Sequence, residues 1–424
     1  MGKHITNWVR LLASLSVLPC LASSAAAQVD QQRAEAYFKE AAAICERDGG
    51  RLWGISLCGP MVLADARTGT VATSQSRPTE EQPKTIGFAN APIEWGGVRW
   101  AAYVWDFIIP LVDPRERGEL MLHELFHRIQ PGLGLVTAGA QNAHLDTVDG
   151  RVWLRLEWRA LAQALRQSGE DRIRAVRDAL AFRLTRRAAF PNAAENERHE
   201  EIREGLAQYT GTVVTAASHG EAVGRALDQL AAAEKLETFV QTFAYTSGVA
   251  YGILLDVSSP NWTRRVHADS DLGQMLMTAL DARPSANAAE ASAQYGGVEL
   301  RAAEQTRDEQ RKALVRQLQE RFVDGPVLLL PSGGSGTFDA RGATPIPGAG
   351  TVYFSQYSLK SEWGTLEATS GVLRSDDGTR RVPGPVRIEG ATLTGDGWTV
   401  TVARGWAVRS GSRVGDYQIV RDTQ

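Results

Sequence analysis

An excess of positive charge is the first thing missing from this chain. Lys and Arg number 46 against 49 Asp and Glu, a formal net charge of −3, so no basic surface advertises a nucleic-acid partner. Compositional extremes are missing as well. With 43% hydrophobic and 22% charged residues, the chain is neither disordered nor collagen-like. Its 424 residues suffice for two or three domains. Beyond the first 27 residues, no apolar run is long enough to cross a bilayer, and no repeat of fixed period stands out. Gly333-Gly334-Ser335-Gly336 is no phosphate cradle, because no Lys-Ser/Thr follows it and no strand–helix frame surrounds it. Cysteine is scarce, three in all, and one of them, Cys20, falls within those first 27 residues.

Residues 1–27 read as a secretory signal. Lys3 and Arg10 open it, an apolar stretch covers residues 11–21, and Ala25-Ala26-Ala27 supplies small residues for cleavage before Gln28. A lipid anchor at Cys20 is the rival reading, but Pro19 stands where a small residue is expected. The expectation is a secreted or periplasmic protein with no integral membrane segment after cleavage. In an oxidising compartment the remaining cysteines, Cys45 and Cys58, are expected to pair. The bond would close a loop of twelve residues and staple the N-terminal helix to the segment after it.

The mature chain reads as α+β. Residues 28–112 hold an N-terminal helix, about 30–47, and a small sheet with β-prone runs at 85–89 and 98–109, packed by Trp95, Trp100 and Trp105. Residues 113–323 are helical. Asp113-Pro114 is a capped start, Leu122, Leu125, Phe126 and Ile129 form an apolar face, and Pro131-Gly132 ends that helix. Further helices are expected at 153–167, 171–187, 197–215, 221–232, 248–257, 272–282 and 300–322. Residues 325–424 hold 17 of the 41 glycines and no long helical pattern. Short runs at 352–357, 386–393, 399–403 and 418–420, with turns at Asp376-Asp377-Gly378 and Asp396-Gly397, predict a separate all-β domain, a sandwich or a barrel.

The sharpest signal is His123-Glu124-Leu125-Phe126-His127. A spacing of four puts both imidazoles on one helix face, one turn apart, where they can hold a single metal ion. Glu124, one position around, can reach a metal-bound water without being a ligand. Zinc lowers the pKa of that water toward neutrality, and the carboxylate takes its proton as the water attacks a carbonyl. With seven histidines in the chain, chance supplies the pattern only about 0.007 times. A tetrahedral catalytic zinc needs a third protein ligand and an open position. Glu204, in Glu204-Gly205-Leu206-Ala207-Gln208-Tyr209, is the best placed, since Gly205 and Ala207 are small enough to let its helix approach the first.

An HExxH followed by Glu-Gly-Leu-Ala-x-Tyr resembles the gluzincin zinc metallopeptidases, the aminopeptidase-like branch most nearly. The resemblance implies a mostly helical, zincin-like catalytic lobe with a small sheet beside the HExxH helix, and Glu204 as third ligand. It also implies a role for Tyr245 in Tyr245-Thr246-Ser247-Gly248, whose hydroxyl would stabilise the oxyanion of the tetrahedral intermediate. Tyr251 and Tyr209 stand in reserve. The 76 residues between His127 and Glu204 exceed the few tens usual in the family, so Glu157, Glu200 and Glu201 stay open as third ligand, with His144 and Asp146 behind them. Glu157, between Leu156 and Trp158, reads as a partner orienting a ligand histidine or as a surface acid. Asn90-Ala91-Pro92-Ile93-Glu94 is not the segment by which aminopeptidases grip a free amino terminus.

The expected function is an exported zinc-dependent peptidase acting on a peptide or protein. Two alternatives stand beside it: an inactive metallopeptidase-like scaffold working through its C-terminal domain, and a zinc hydrolase of non-peptide amides.

Overall fold

The computed structural model describes residues 28–338, 343–354, 356–384 and 386–422. The signal read over residues 1–27, with its alternative anchor at Cys20, lies outside them. The fold is α+β, in two compact units, Met1–Glu304 and Gln305–Gln424. No helix among the described residues is long and apolar enough to cross a membrane.

In the first unit, helix α1 (Gln31–Asp48) starts where the Asp30 side chain accepts a hydrogen bond from the Arg33 amide, and it ends at Gly49 in the left-handed region. Its buried face carries Ala34, Tyr37, Phe38, Ala41 and Cys45. Cys45 is bonded to Cys58, with Cα atoms 5.3 Å apart. The loop so closed seats Trp53, whose ring lies 4.8 Å from that of Phe126 and whose indole N–H donates to Thr210 Oγ1 at 2.9 Å.

Next in the chain comes a four-stranded sheet: β1 (Met61–Asp65), β2 (Thr70–Thr73), β3 (Ala91–Trp95) and β4 (Val98–Val104), in the order β2-β1-β4-β3. Only β1 and β4 run parallel, with Leu63 opposite Tyr103. Alternate residues face two cores. Leu63, Ala101 and Tyr103 join the main one, while Val62, Ala64, Trp95, Trp100 and Ala102 form a second. Residues 85–89 are turns and not the expected strand. Ile86 still packs into the second core, and Gly87 at φ 87° shows why no straight strand forms there. The run expected to continue to 109 breaks at Val104 into a single helical turn, Trp105–Ile108.

The longer helices are α2 (Pro114–Ile129), α3 (Val148–Arg166), α4 (Gly169–Ala189), α5 (Ala193–Glu200), α6 (Leu206–Thr215), α7 (His219–Ala233), α8 (Phe243–Ser258), α9 (Leu272–Leu280) and α10 (Gly297–Gln319). Asp113 caps α2 by accepting from the Arg115 amide, with Pro114 at the first turn. Every residue from Arg117 to Phe126 is buried, so α2 is a central helix wrapped on all sides. The helix expected over 197–215 is interrupted by a wide, π-type turn at Glu201–Gly205. Such turns cluster at functional positions.

The second unit contains two sheets. One runs Trp406–Ser410, Tyr417–Arg421, Val327–Leu330, Arg380–Pro383, Val372–Arg374, Gly350–Tyr353, Thr344–Ile346 from edge to edge. The other runs Arg387–Glu389, Thr392–Gly395, Trp398–Val402, Gly364–Ala368, Tyr357–Ser361, Ser335–Thr337. Leu328, Val372 and Val382 from the first sheet and Leu359, Leu366 and Val400 from the second share one hydrophobic core, the layered arrangement of a sandwich. The runs expected at 352–357 and 386–393 each split. The chain leaves one sheet after Tyr353 and enters the other at Tyr357, and it doubles back at Gly390 (φ 62°). Gly378 and Gly397 take the positive φ that their tight turns require.

Candidate metal centre

Two glycine contacts assemble the site. A Cβ at Gly211 of α6 would lie 2.5 Å from the Glu119 carbonyl oxygen on α2. A Cβ at Gly205 would lie 3.0 Å from the Ala244 carbonyl oxygen and 3.1 Å from Gly248 Cα on α8. Gly205 therefore admits α8, and Gly211 admits α2, which corrects the expectation that Gly205 brings the two motif helices together. The crossing at Gly248 sets Tyr245, one turn earlier, over the HExxH helix. Its ring stacks on His123 with centroids 5.6 Å apart and planes 3° from parallel.

His123 Nε2 and His127 Nε2 are 3.0 Å apart, and each lies 3.3 Å from Glu204 Oε2. A tetrahedral ion with bonds of about 2.0–2.1 Å holds its ligand atoms roughly 3.3 Å apart. The three atoms converge with the spacing of a coordination face. Among the described residues this is the group of three that could hold a metal ion.

Both rings are held from behind by a glutamine. His123 Nδ1 faces Gln208 Oε1 at 3.2 Å, and His127 Nδ1 faces Gln130 Oε1 at 2.8 Å. An Nδ1–H donating to each amide oxygen leaves both Nε2 lone pairs free to bind a cation. Gln130 is itself fixed by donating to the Ile202 and Arg203 carbonyls at 2.9 and 3.2 Å.

Electrostatics agree with that geometry. Burial opposes the charge on Glu204, but the His123 and His127 imidazoles 3.3 Å away outweigh this and hold the carboxyl far below its usual range. Burial likewise opposes charge on His127, yet the Glu204 bond and the Glu124 carboxylate push it up to about 9. Glu124 is buried, Oε2 finds no hydrogen-bond partner, and burial raises its pKa against the pull of both imidazoles. Burial and then the neighbouring Glu204 raise the Tyr245 phenol, keeping it a neutral donor. His123, Glu124 and Tyr245 line a cleft of about 370 Å³ whose apolar lining includes Phe88, Phe107, Leu120 and Leu236.

The other candidates lie elsewhere. Glu157 is neither a surface acid nor a partner of the site histidines: fully buried, it accepts from Arg183 at 3.1 Å, Arg186 at 2.5 Å and the Tyr251 hydroxyl at 2.7 Å. That also removes Tyr251 from the site. Tyr209 donates to Asp256. Glu200 pairs with Arg203, Glu201 with Arg183, and His144 with Glu197. Asp146 accepts from Thr238 and the Phe239 amide. Asn90 lines the cleft, but its Oδ1 accepts from the Val104 amide at 2.8 Å. Sequence reasoning missed Gln130, Gln208 and, behind Gln208, Glu119. One signal was available: Gln208 sits within the second motif, one turn beyond Glu204. Comparison with protein-family models, with characterised proteins and with solved structures finds no match for this chain.

Proposed function

We propose that this chain is an exported zinc-dependent peptidase, with His123, His127 and Glu204 as ligands, Glu124 as general base and Tyr245 as donor to the oxyanion. One observation carries the reading: three ligand atoms converge within 3.3 Å of one another, beside a buried Glu124 carboxylate oxygen without a partner. Two imidazoles and a carboxylate suit zinc, which when bound supplies Lewis acidity, making water nucleophilic near neutral pH and polarising a carbonyl.

The protein's own residues do the rest. Glu124 takes the proton of the attacking water and returns it to the leaving amine nitrogen, and its raised pKa suits a group that must both accept and give. Tyr245 donates its phenolic hydrogen to the charge growing on the former carbonyl oxygen. A peptide is favoured over other amides by β3. This strand comes directly after the cleft residues Ala89 and Asn90, and its outer edge pairs with no strand among the described residues. Such an edge offers backbone groups to an extended chain.

The test is metal analysis and cleavage of an unbiased peptide library by the purified protein, with and without chelator. About one zinc per chain and chelator-sensitive cleavage are expected. Glu124→Gln should keep the metal and lower kcat by about 10²–10⁴-fold. Tyr245→Phe should lower it by about 10²–10³-fold with KM little changed. A zinc-loaded protein that cuts no peptide removes the peptidase reading, and undiminished cleavage by Glu124→Gln removes the base. Protein recovered outside the cytoplasm should begin at Gln28, and an intact leader there would argue against signal cleavage.

A further inference from the structure

We infer that Glu119 is a positioning residue that sets the tautomer of His123 through Gln208. The inference rests on the proposed metal centre, since only a histidine with a bare Nε2 can serve as the ligand. The two ends of a glutamine amide are nearly alike in shape, so an unsupported Gln208 could face His123 Nδ1 with either one. Its NH₂ end would make Nδ1 the acceptor and drive the ring proton to Nε2, where it blocks a cation.

Glu119 breaks that tie. A carboxylate only accepts, and Glu119 Oε1 takes the Gln208 NH₂ at 2.6 Å, which turns Gln208 Oε1 toward His123. Glu119 is almost wholly buried, at 1% exposure, and burial raises its carboxyl against the pull of the donors around it. Thr212 Oγ1 lies at 2.8 Å, Gln229 Nε2 at 3.1 Å, and the Arg225 guanidinium 3.4 Å from Oε2. The order of cause runs from buried charge to amide orientation to ring tautomer to a free lone pair. His127 has no such charged support, because Gln130 is fixed by backbone carbonyls. The His123 arm therefore depends on one replaceable side chain, four residues away on the same helix.

The test uses the full mature chain, ¹⁵N-labelled at histidine and free of metal, in mildly alkaline solution, with the His123 signals assigned by their loss in His123→Ala. Long-range ¹H–¹⁵N correlation should show His123 protonated at Nδ1. In Glu119→Gln the restraint is gone, so Nε2–H should appear and zinc affinity should fall about 10–100-fold. The double variant Glu119→Gln/Gln208→Glu moves the carboxylate one step along the same chain, against the ring, and should restore the Nδ1–H form and most of the affinity. A role confined to packing would show no such rescue.

Nε2–H in the unmodified protein overturns the inference, and this measurement decides even where Glu119→Gln fails to fold. So does Glu119→Gln with unchanged tautomer and affinity, or a folded double variant that recovers neither. A protein that passes these tests yet cleaves nothing keeps the inference and loses the peptidase reading. One that cleaves peptides with His123 in the other tautomer does the reverse.

Discussion

Of the polar and charged side chains buried among the described residues, those of the β-unit come down to Arg380 and Asp416, whereas the first unit buries Arg183, Arg186, Glu157, Glu197, Glu201 and many others. The β-unit is built around Leu328, Trp363, Leu366 and Val400, which is all that folding asks of a core. Burying ions is a poor route to stability, because desolvation consumes most of the Coulombic gain. Their placement explains them better. Arg186 joins Glu157 on α3 to Glu197 on α5, and Arg183 holds Glu201, three residues before Glu204 in the wide turn. The charge in the first unit holds in place the segment that carries Glu204.

Three measurements press on that contrast. Arg186→Met removes the guanidinium shared by two buried carboxylates and should cost the first unit about 3–5 kcal/mol, with weaker zinc binding, read by denaturant unfolding and metal titration. A variant that loses stability but binds zinc as before would sever the network from the site. In the β-unit, Leu366→Ala should cost about 2–5 kcal/mol and leave zinc affinity and hydrolysis untouched, and a loss of metal there would erase the distinction between the units. The smallest effect is that of pH. His127 is held up to about 9 in the metal-free protein, so zinc must displace its proton. Affinity is full above that pH and falls about tenfold per unit of acidification below it. Glu204, far below the usual carboxylate range, stays ionised and adds nothing to the slope. Competition against a chelator across the neutral range would show a flat profile if the proton on His127 were not the competitor.

How much of this was legible in the residues depended on range. His123 and His127 are tied by helical spacing, so sequence alone fixes their shared face. Asp113-Pro114, Asp376-Asp377-Gly378 and Asp396-Gly397 declared themselves through local backbone chemistry. Placing Glu204 beside the histidines required a guess about which small residue admits the HExxH helix, and the guess named Gly205 where the close approach is at Gly211. Glu157 was misread because an acid between Leu156 and Trp158 looks alike whether it faces solvent or three buried donors. Gln130 and Glu119 gave no local signal and Gln208 only its place in the second motif, since an amide or a buried carboxylate acquires its role only from partners distant in the chain. The stretch at 85–89 was misassigned from β propensity, where the glycine at 87 takes a positive φ.

Helix α10 bears on any attempt to divide the protein. It places Leu300 in the core of the first unit, while Leu318 near its other end joins Phe322, Ile346, Val352 and Leu373 in a cluster of the second. A scissor placed where glycine becomes abundant, after Asp324, would strip the β-unit of Leu318 and Phe322 and leave Ile346 and Leu373 facing water. The seam that composition suggests and the seam that packing allows are about twenty residues apart, and only the second keeps Leu318 and Phe322 with Ile346 and Leu373.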